Sequence, residues 1–309
     1  MSKIRIGIVG LGNIAQKVYL PFLSAEKNWS FAGGYCPTES KRKKICGMYR
    51  INAFASLPDL LQSTDAVFVS SATDSHFEIV SEALKHGKDV YVDKPLASTS
   101  DEAEQLAELS IRYGRKLMIG FNRRFAPMYV RARNMMSVGT ALIRIEKHRA
   151  DSIRPENFAV TLLDDYIHLV DTARWLGEPK DGGRIGGSVK INENNALIFA
   201  QHHYEAASGA DIFLDMHRKA GTNLERLELL TEGAIIRVRD MDIFETETGG
   251  KTETVVPPAW ETILKRKGFE DAILHFLDSI EGNTQPLISG EEALKTQRLF
   301  NAMIKVGRV

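Results

Sequence analysis

The segment that most restricts this chain lies at its start. Ile4 to Val9, IRIGIV, is a short apolar run, and Gly10-Leu11-Gly12-Asn13-Ile14-Ala15 follows it directly in the spacing G-x-G-x-x-A. From Ile14 to about Ala25 the pattern becomes helical, so the chain opens as strand, tight turn and helix. In that setting each small residue has a job. Gly10 permits the turn, Gly12 lets the backbone approach a pyrophosphate, and Ala15 lets helix and strand pack closely. Asn13 and Ile14 begin the helix, whose N-terminus offers N–H groups and a positive dipole end to an anion.

Three further strand candidates, FAGGY (31–35), AVFVSSA (66–72) and DVYVD (89–93), alternate with helical stretches at LPDLLQS, HFEIVSEALKHG and SDEAEQLAELSIRYG, and LMIGF closes the series. Strands that apolar throughout, separated by helices, predict a parallel sheet covered on both faces. The first 121 residues are therefore read as an α/β Rossmann domain.

At 309 residues the chain exceeds one hydrophobic core. Beyond Phe125 come a helix near Met128 to Met136, the run TALIRIEKHR and a helix near Asp164 to Leu176. Many strand-like pieces follow, from GGSVKIN to TETVVP, broken by Gly, Asn and Asp turns. They predict a second domain over 122–309, α+β in class, with one large, mainly antiparallel, open-faced sheet, and with its C-terminal helix able to pack back on the first domain. An open apolar face needs a cover, so a homo-oligomer, most simply a dimer, is expected.

Composition removes several functions. Forty basic residues against 40 acidic ones leave no net field to attract nucleic acid or a membrane surface. No apolar run approaches the length of a membrane span and no leader pattern opens the chain, so a cytoplasmic location is expected. Only Cys36 and Cys46 are present, without a His cluster, so neither a metal site nor a structural disulfide is expected.

A dinucleotide site that prefers NAD places an acidic residue about 20 positions after the fingerprint, to accept the ribose hydroxyls. Here Cys36 stands at that place, followed by Thr38, Ser40, Lys41 and Arg42. These could hold a 2′-phosphate without carboxylate repulsion, which favours NADP, with NAD as the alternative. The run KRKK could equally be the solvated start of a helix.

Three further segments, SSATDSHFEIVSEALKHGKDVYVDKPLA, GFNRRFAP and LLDDYIHLVDTARWLG, follow in an order and spacing that resemble the glucose-fructose oxidoreductase, inositol dehydrogenase and rhizopine catabolism (Gfo/Idh/MocA) family. Within it the KHR, HH and MHR stretches are similar to the MviM-type oxidoreductases. The family's Glu-Lys-Pro falls on Asp93-Lys94-Pro95, one methylene shorter; its Asp-x-x-x-His falls on Asp164 and His168, and its downstream acid on Asp171. The resemblance implies that Ala72, Thr73, His76, Asp93, Lys94, Pro95 and Asn122 join the cofactor site. It also implies that Lys94, Asp164 and His168 are catalytic, with a sugar, polyol or sugar acid as substrate.

The chemistry suits those residues. An imidazole titrates near neutrality and can take a hydroxyl proton while carbon gives up hydride. Lys94 can steady the developing alkoxide, and Asp164, one helical turn before His168, can orient its partners. Two positions depart from the family. Tyr166 replaces a glycine two residues before the histidine, where its ring could narrow the pocket or stack on a sugar. Asp165 adds a second carboxylate that could divert a proton relay or bind a hydroxyl. Arg123, Lys147, Tyr166 and His168 are the expected substrate contacts. Arg124, His148, Arg149, Arg154 and Arg218 also lie in segments that could border the site; they either receive a substrate carboxylate or phosphate, or pair with acidic residues. The resemblance leaves two other functions open, since some relatives have them: a glycosidase that uses NAD transiently, and a dinucleotide-binding sensor without catalysis.

Overall fold

The computed structural model describes residues 3–25 and 27–306. They form two compact units, one of the described residues up to 121 with 272–295, the other of residues 122–271 with 296–306. The second unit is thus not the continuous stretch read from the sequence. Residues 272–295 belong with the first unit for apolar reasons. The Phe276 ring meets Phe68 and Tyr91 edge-on at centroid distances of 5.6 and 5.7 Å. The Ile119 amide donates to the Ile288 carbonyl at 3.0 Å, covering a strand that would otherwise be a bare sheet edge.

In the first unit six strands, β1 (Ile4–Val9), β2 (Trp29–Tyr35), β3 (Asn52–Ala53), β4 (Ala66–Val69), β5 (Asp89–Val92) and β6 (Leu117–Ile119), pair in the order β3-β2-β1-β4-β5-β6. Every pair is parallel. This is the doubly wound order in which strand direction of travel reverses beside β1, opening a crevice at the carboxyl ends of β1 and β4. All four residues of β4 are buried, as a strand covered on both faces must be.

The first helix differs from the regular one expected. Residues 13–23 are helical, but Ala15–Tyr19 form a π turn before the α turn Leu20–Leu23. Pro21 has no N–H to return to the Lys17 carbonyl, and a widened turn accommodates that loss.

The second unit is built on eight strands: β7 (Leu142–His148), β8 (Ile185–Ile191), β9 (Leu197–Glu205), β10 (Asp211–His217), β11 (Leu224–Thr231), β12 (Ala234–Arg239), β13 (Ile243–Thr248) and β14 (Lys251–Val255). They pair in the order β14-β13-β12-β11-β7-β10-β9-β8. The sheet is mainly antiparallel, with one exception at its centre. β10 runs parallel to β7 because β8 and β9 intervene in the chain, so β10 returns on the other side of β7 from β11. The helix Ile167–Leu176, buried at every residue, packs on β7 and β10.

Alternation along the strands decides which side chains face that helix. Ile143, Ile145 and Lys147 of β7 are buried, as are Glu225, Leu227 and Leu229 of β11 and Ile212, Leu214 and Met216 of β10. Period two therefore carries a lysine and a glutamate into an apolar layer, directly opposite one another in the β7–β11 register. The other face holds half-buried charges in cross-strand pairs, among them Arg226 with Glu146 at 2.6 Å. Among the described residues no helix is long and apolar enough to cross a membrane.

Candidate functional site

The turn after β1 is built for close approach. Gly10 has φ +90°, and a Cβ there would lie 2.5 Å from the Ser71 nitrogen, so only glycine fits. Its amide donates to the Tyr35 carbonyl at 2.9 Å and its carbonyl accepts from the Ser70 hydroxyl at 2.9 Å, which locks the turn between β2 and β4. Ser70 was not among the expected site residues. Gly12 is a different case: the nearest atom to a Cβ there would be the Ser70 carbonyl oxygen, 4.0 Å away. No packing inside the protein accounts for a glycine at that position, whereas a diphosphate against the backbone does. No side chain caps the helix that begins beside it, with Ala15 buried beneath. The residues present fit a dinucleotide.

After β2, Cys36 is buried, and no carboxylate stands in its place. Thr38, Ser40 and Lys41 are exposed at the start of the helix Glu39–Tyr49. Arg42 turns inward instead; it donates to the Cys36 carbonyl at 2.6 Å and lies 5.7 Å from the Tyr35 ring centroid. One arm of its guanidinium is spent on shaping the loop.

Beyond β4, Ala72 and Thr73 lead through a short turn into the helix His76–Lys85. His76 is buried with Nδ1 2.9 Å from the Pro95 carbonyl and Nε2 3.2 Å from the Ser71 carbonyl. Burial pulls its pKa down, opposed by those carbonyls and by Asp93. The ring ties the loop after β4 to the segment after β5, a structural role. Asp93 accepts from the Lys94 amide at 2.9 Å, and burial raises its carboxyl against the pull of Lys94 and His76. The peptide between Lys94 and Pro95 is cis, and Lys94 is half-buried.

Asn122 belongs to the second unit and is occupied there. Its amide nitrogen donates to the Lys267 carbonyl at 2.7 Å, and its side-chain oxygen accepts from Arg123 at 3.4 Å. This speaks against the cofactor role expected for it. Its backbone oxygen leaves room only for a glycine at Gly268, where a Cβ would come within 2.2 Å.

The second unit gathers the remaining expected residues around one buried charge network. Arg123 closes on Glu225 with two hydrogen bonds, 2.5 and 2.8 Å. Lys147, 3% exposed, ion-pairs with Asp165, and Arg218, 1% exposed, reaches the other Asp165 oxygen. Arg218 also donates to the Ser152 carbonyl and hydroxyl, both at 2.9 Å. Asp171 is held by Arg124 at 2.6 and 2.8 Å and by Thr296 at 2.9 Å, and is a structural acid. Most of the basic residues thought able to receive a substrate anion are thus matched by carboxylates of the protein.

Two site assignments change on this geometry. Tyr166 is 1% exposed, its hydroxyl 2.9 Å from His202 Nδ1 and 3.2 Å from the Leu214 carbonyl. It is a core residue and not a platform for a sugar. Asp165 is not a spare relay carboxylate. Burial would raise its pKa, but Lys147, Arg149 and Arg218 outweigh that and hold it well below the usual carboxylate range. Burial, with Arg123 alongside, pulls Lys147 down to about 8.

Asp164 and His168 do share one end of this helix. Leu162–Tyr166 form a π turn that runs into Ile167–Leu176. The widened turn sends Asp165 inward to Lys147 while Asp164 stays half-exposed, ion-paired with Arg154. His168 is buried, 9% exposed, two residues into the regular helix. A π turn at such a position is a common feature of functional sites.

Glu225 escaped the sequence reading, although the alternation Glu225-Leu227-Leu229 marked it as inward-facing. Burial would raise its carboxyl, yet Arg123 and Lys147 bring it from 4.5 to about 2. Burial brings His202 from 6.5 to about 4. In both cases the unfolded chain takes up its proton at higher pH than the folded one, so stability is present above the unfolded value and lost as pH falls. The free energy of unfolding is expected to drop from pH 6.5 to 4 through His202, and from 4.5 towards 2 through Glu225. Each contributes on the order of 3 kcal/mol. Urea unfolding at stepped pH checks this; a midpoint unchanged between pH 6.5 and 3 overturns it.

The fold and its glycine turn define a dinucleotide-binding oxidoreductase class, a Rossmann unit together with an open-sheet α+β unit. Comparison with known proteins narrows it. Residues 4–121 match the oxidoreductase family with NAD-binding Rossmann fold, Gfo/Idh/MocA, and residues 127–249 match the YceM-like C-terminal domain. The YceM protein of Salmonella typhimurium strain LT2 is 40% identical over 98% of this chain and 98% of its own length. Inositol 2-dehydrogenase 3 of Saccharopolyspora erythraea is 27% identical over 90% of this chain and 85% of its own. The crystal structure of a dehydrogenase, MviM, from Clostridium difficile superposes with a TM-score of 0.94 at 44% identity, covering 98% of this chain and 99% of that one. This chain belongs to the Gfo/Idh/MocA oxidoreductase family, with an NAD(P)-binding Rossmann domain.

Proposed function

We propose that this oxidoreductase moves a hydride between nicotinamide, NADP in preference to NAD, and a hydroxyl or carbonyl of a sugar, polyol or sugar-acid-like small molecule. The observation that carries the reading is the turn at Gly12, at the carboxyl end of β1, where the protein leaves the space above the backbone unfilled. The nicotinamide supplies the hydride chemistry when bound. His168, in its partly desolvated position on the helix Ile167–Leu176, would exchange the proton of the substrate hydroxyl. Lys94 would place its ammonium by the oxygen on which charge develops. Asp164, balanced by Arg154, would set the charge around that proton. A second copy of the chain is kept as the proposed cover of the open sheet face, although that face carries cross-strand charge pairs such as Arg226 with Glu146 and is not the apolar surface expected.

For the coenzyme, Thr38, Ser40 and Lys41 stand exposed after β2, and Cys36 brings no carboxylate to repel a 2′-phosphate. NADPH is therefore expected to bind at least about tenfold more tightly than NADH, the gain of one charge-assisted contact. Fluorescence titration of the purified protein with both nucleotides measures this. Equal affinities would remove the NADP preference, and binding of neither would remove the oxidoreductase reading itself.

A further inference from the structure

Four of the five cations around the Asp164–Asp165 turn close on a carboxylate: Arg123 on Glu225, Lys147 and Arg218 on Asp165, and Arg154 on Asp164. The fifth, Arg149, does not. Among the described residues it makes no side-chain ion pair, and it acts on Asp165 only across space. It is nonetheless half-buried and firmly placed. Its amide donates to the His217 carbonyl at 2.9 Å and its carbonyl accepts from the Ala220 amide at 2.8 Å, so its backbone continues the β7 ladder beyond His148. Half-burying a guanidinium without a hydrogen-bonded anion costs solvation that the longer-range attraction to Asp165 returns only in part.

From this we infer that Arg149 is a specificity residue and that the substrate of the reaction proposed above carries an anionic group, a carboxylate or a phosphate, that pairs with it. The inference rests on that reading for the location of the substrate. A planar guanidinium recognises either anion with two parallel hydrogen bonds, and a rigid backbone reduces the ordering needed to form them. The neighbouring cations compete less for the ligand, because each already pairs with a carboxylate, Lys147 and Arg218 sharing Asp165. The carboxylates of Asp164 and Asp165 do not compete for Arg149, because Arg154, Lys147 and Arg218 hold them.

The test uses the full chain loaded with NADPH and follows glucose, glucuronate and glucose 6-phosphate by calorimetric titration at constant ionic strength. One of the two anions is expected to bind at least about tenfold more tightly than glucose, and which one does so names the group. Arg149→Gln is expected to bring that anion to the level of glucose, and Arg149→Lys to restore part of the preference. NADPH affinity, measured alongside on each variant, reports an intact fold. Three results overturn the inference: equal binding of all three sugars, no binding of either anion, or a preference unchanged in Arg149→Gln. Failure of the underlying reading shows separately, as absence of nucleotide binding.

Discussion

Asp165→Asn is expected to cost about 3–5 kcal/mol of unfolding free energy, among the largest effects available to a single substitution here. The carboxylate is the ion-pair partner shared by Lys147 and Arg218, both all but inaccessible to water. Removing its charge leaves Lys147, Arg218 and Arg123 with only Glu225 between them in an apolar layer. It also frees the π turn Leu162–Tyr166, which that carboxylate anchors to the sheet. Denaturant unfolding measures the loss. The double variant Asp165→Asn with Lys147→Met is expected to recover at least half of it, since the uncompensated ammonium is then gone. A loss below about 1 kcal/mol, or a double variant no better than the single, would mean that water screens this network as it screens surface pairs.

His168→Ala is expected to lower kcat by about 10²- to 10⁴-fold on whichever sugar or sugar acid proves to be turned over, while NADPH affinity stays within about twofold. The split between the two readouts matters. The imidazole is assigned to the substrate proton and the glycine turn to the nucleotide, so loss of the imidazole should remove proton exchange and leave nucleotide affinity in place. Turnover kinetics with a parallel nucleotide titration would decide it. A variant that keeps more than about a tenth of wild-type kcat would exclude His168 as the proton-exchanging group and shift attention to Lys94.

Much of the first unit was legible in the amino-acid order because its signals are local. The dinucleotide turn depends on backbone freedom at Gly10 and on missing atoms at Gly12, both properties of single residues. The buried strands of the parallel sheet show themselves as unbroken apolar runs such as AVFV. The second unit was legible as a class, from many short strands between turn residues, but its parallel centre was not. Which strand comes to lie beside β7 depends on where the chain returns after β8 and β9, and no local pattern encodes that.

The site was legible in part for the same reason. The order Asp93-Lys94-Pro95, then Asp164 and His168, brought the family into view, and those assignments rest on side-chain type and spacing. The departures from the family pattern were visible too, but their meaning was misread. Tyr166 resembled a pocket residue because it stands where the family places a glycine, two positions before the histidine; its hydroxyl instead meets His202, which β9 brings in from 36 positions away. Asn122 resembled a cofactor ligand, and Lys267 claims it from 145 positions away.

By itself the sequence determined what each short stretch can be: a glycine turn able to admit a diphosphate, strands with a fixed alternation, a helix that carries Asp164, Asp165 and His168. Tertiary structure decided which charges meet. Arg218 reaches Asp165 across 53 positions and Arg123 reaches Glu225 across 102. The physical reason is that composition supplies 40 charges of each sign, whereas strand register and the pitch of one helical turn choose the partners. Neutrality of the whole chain says nothing about the neutrality of one corner, and only at that corner, once every other cation is matched, does Arg149 stand out.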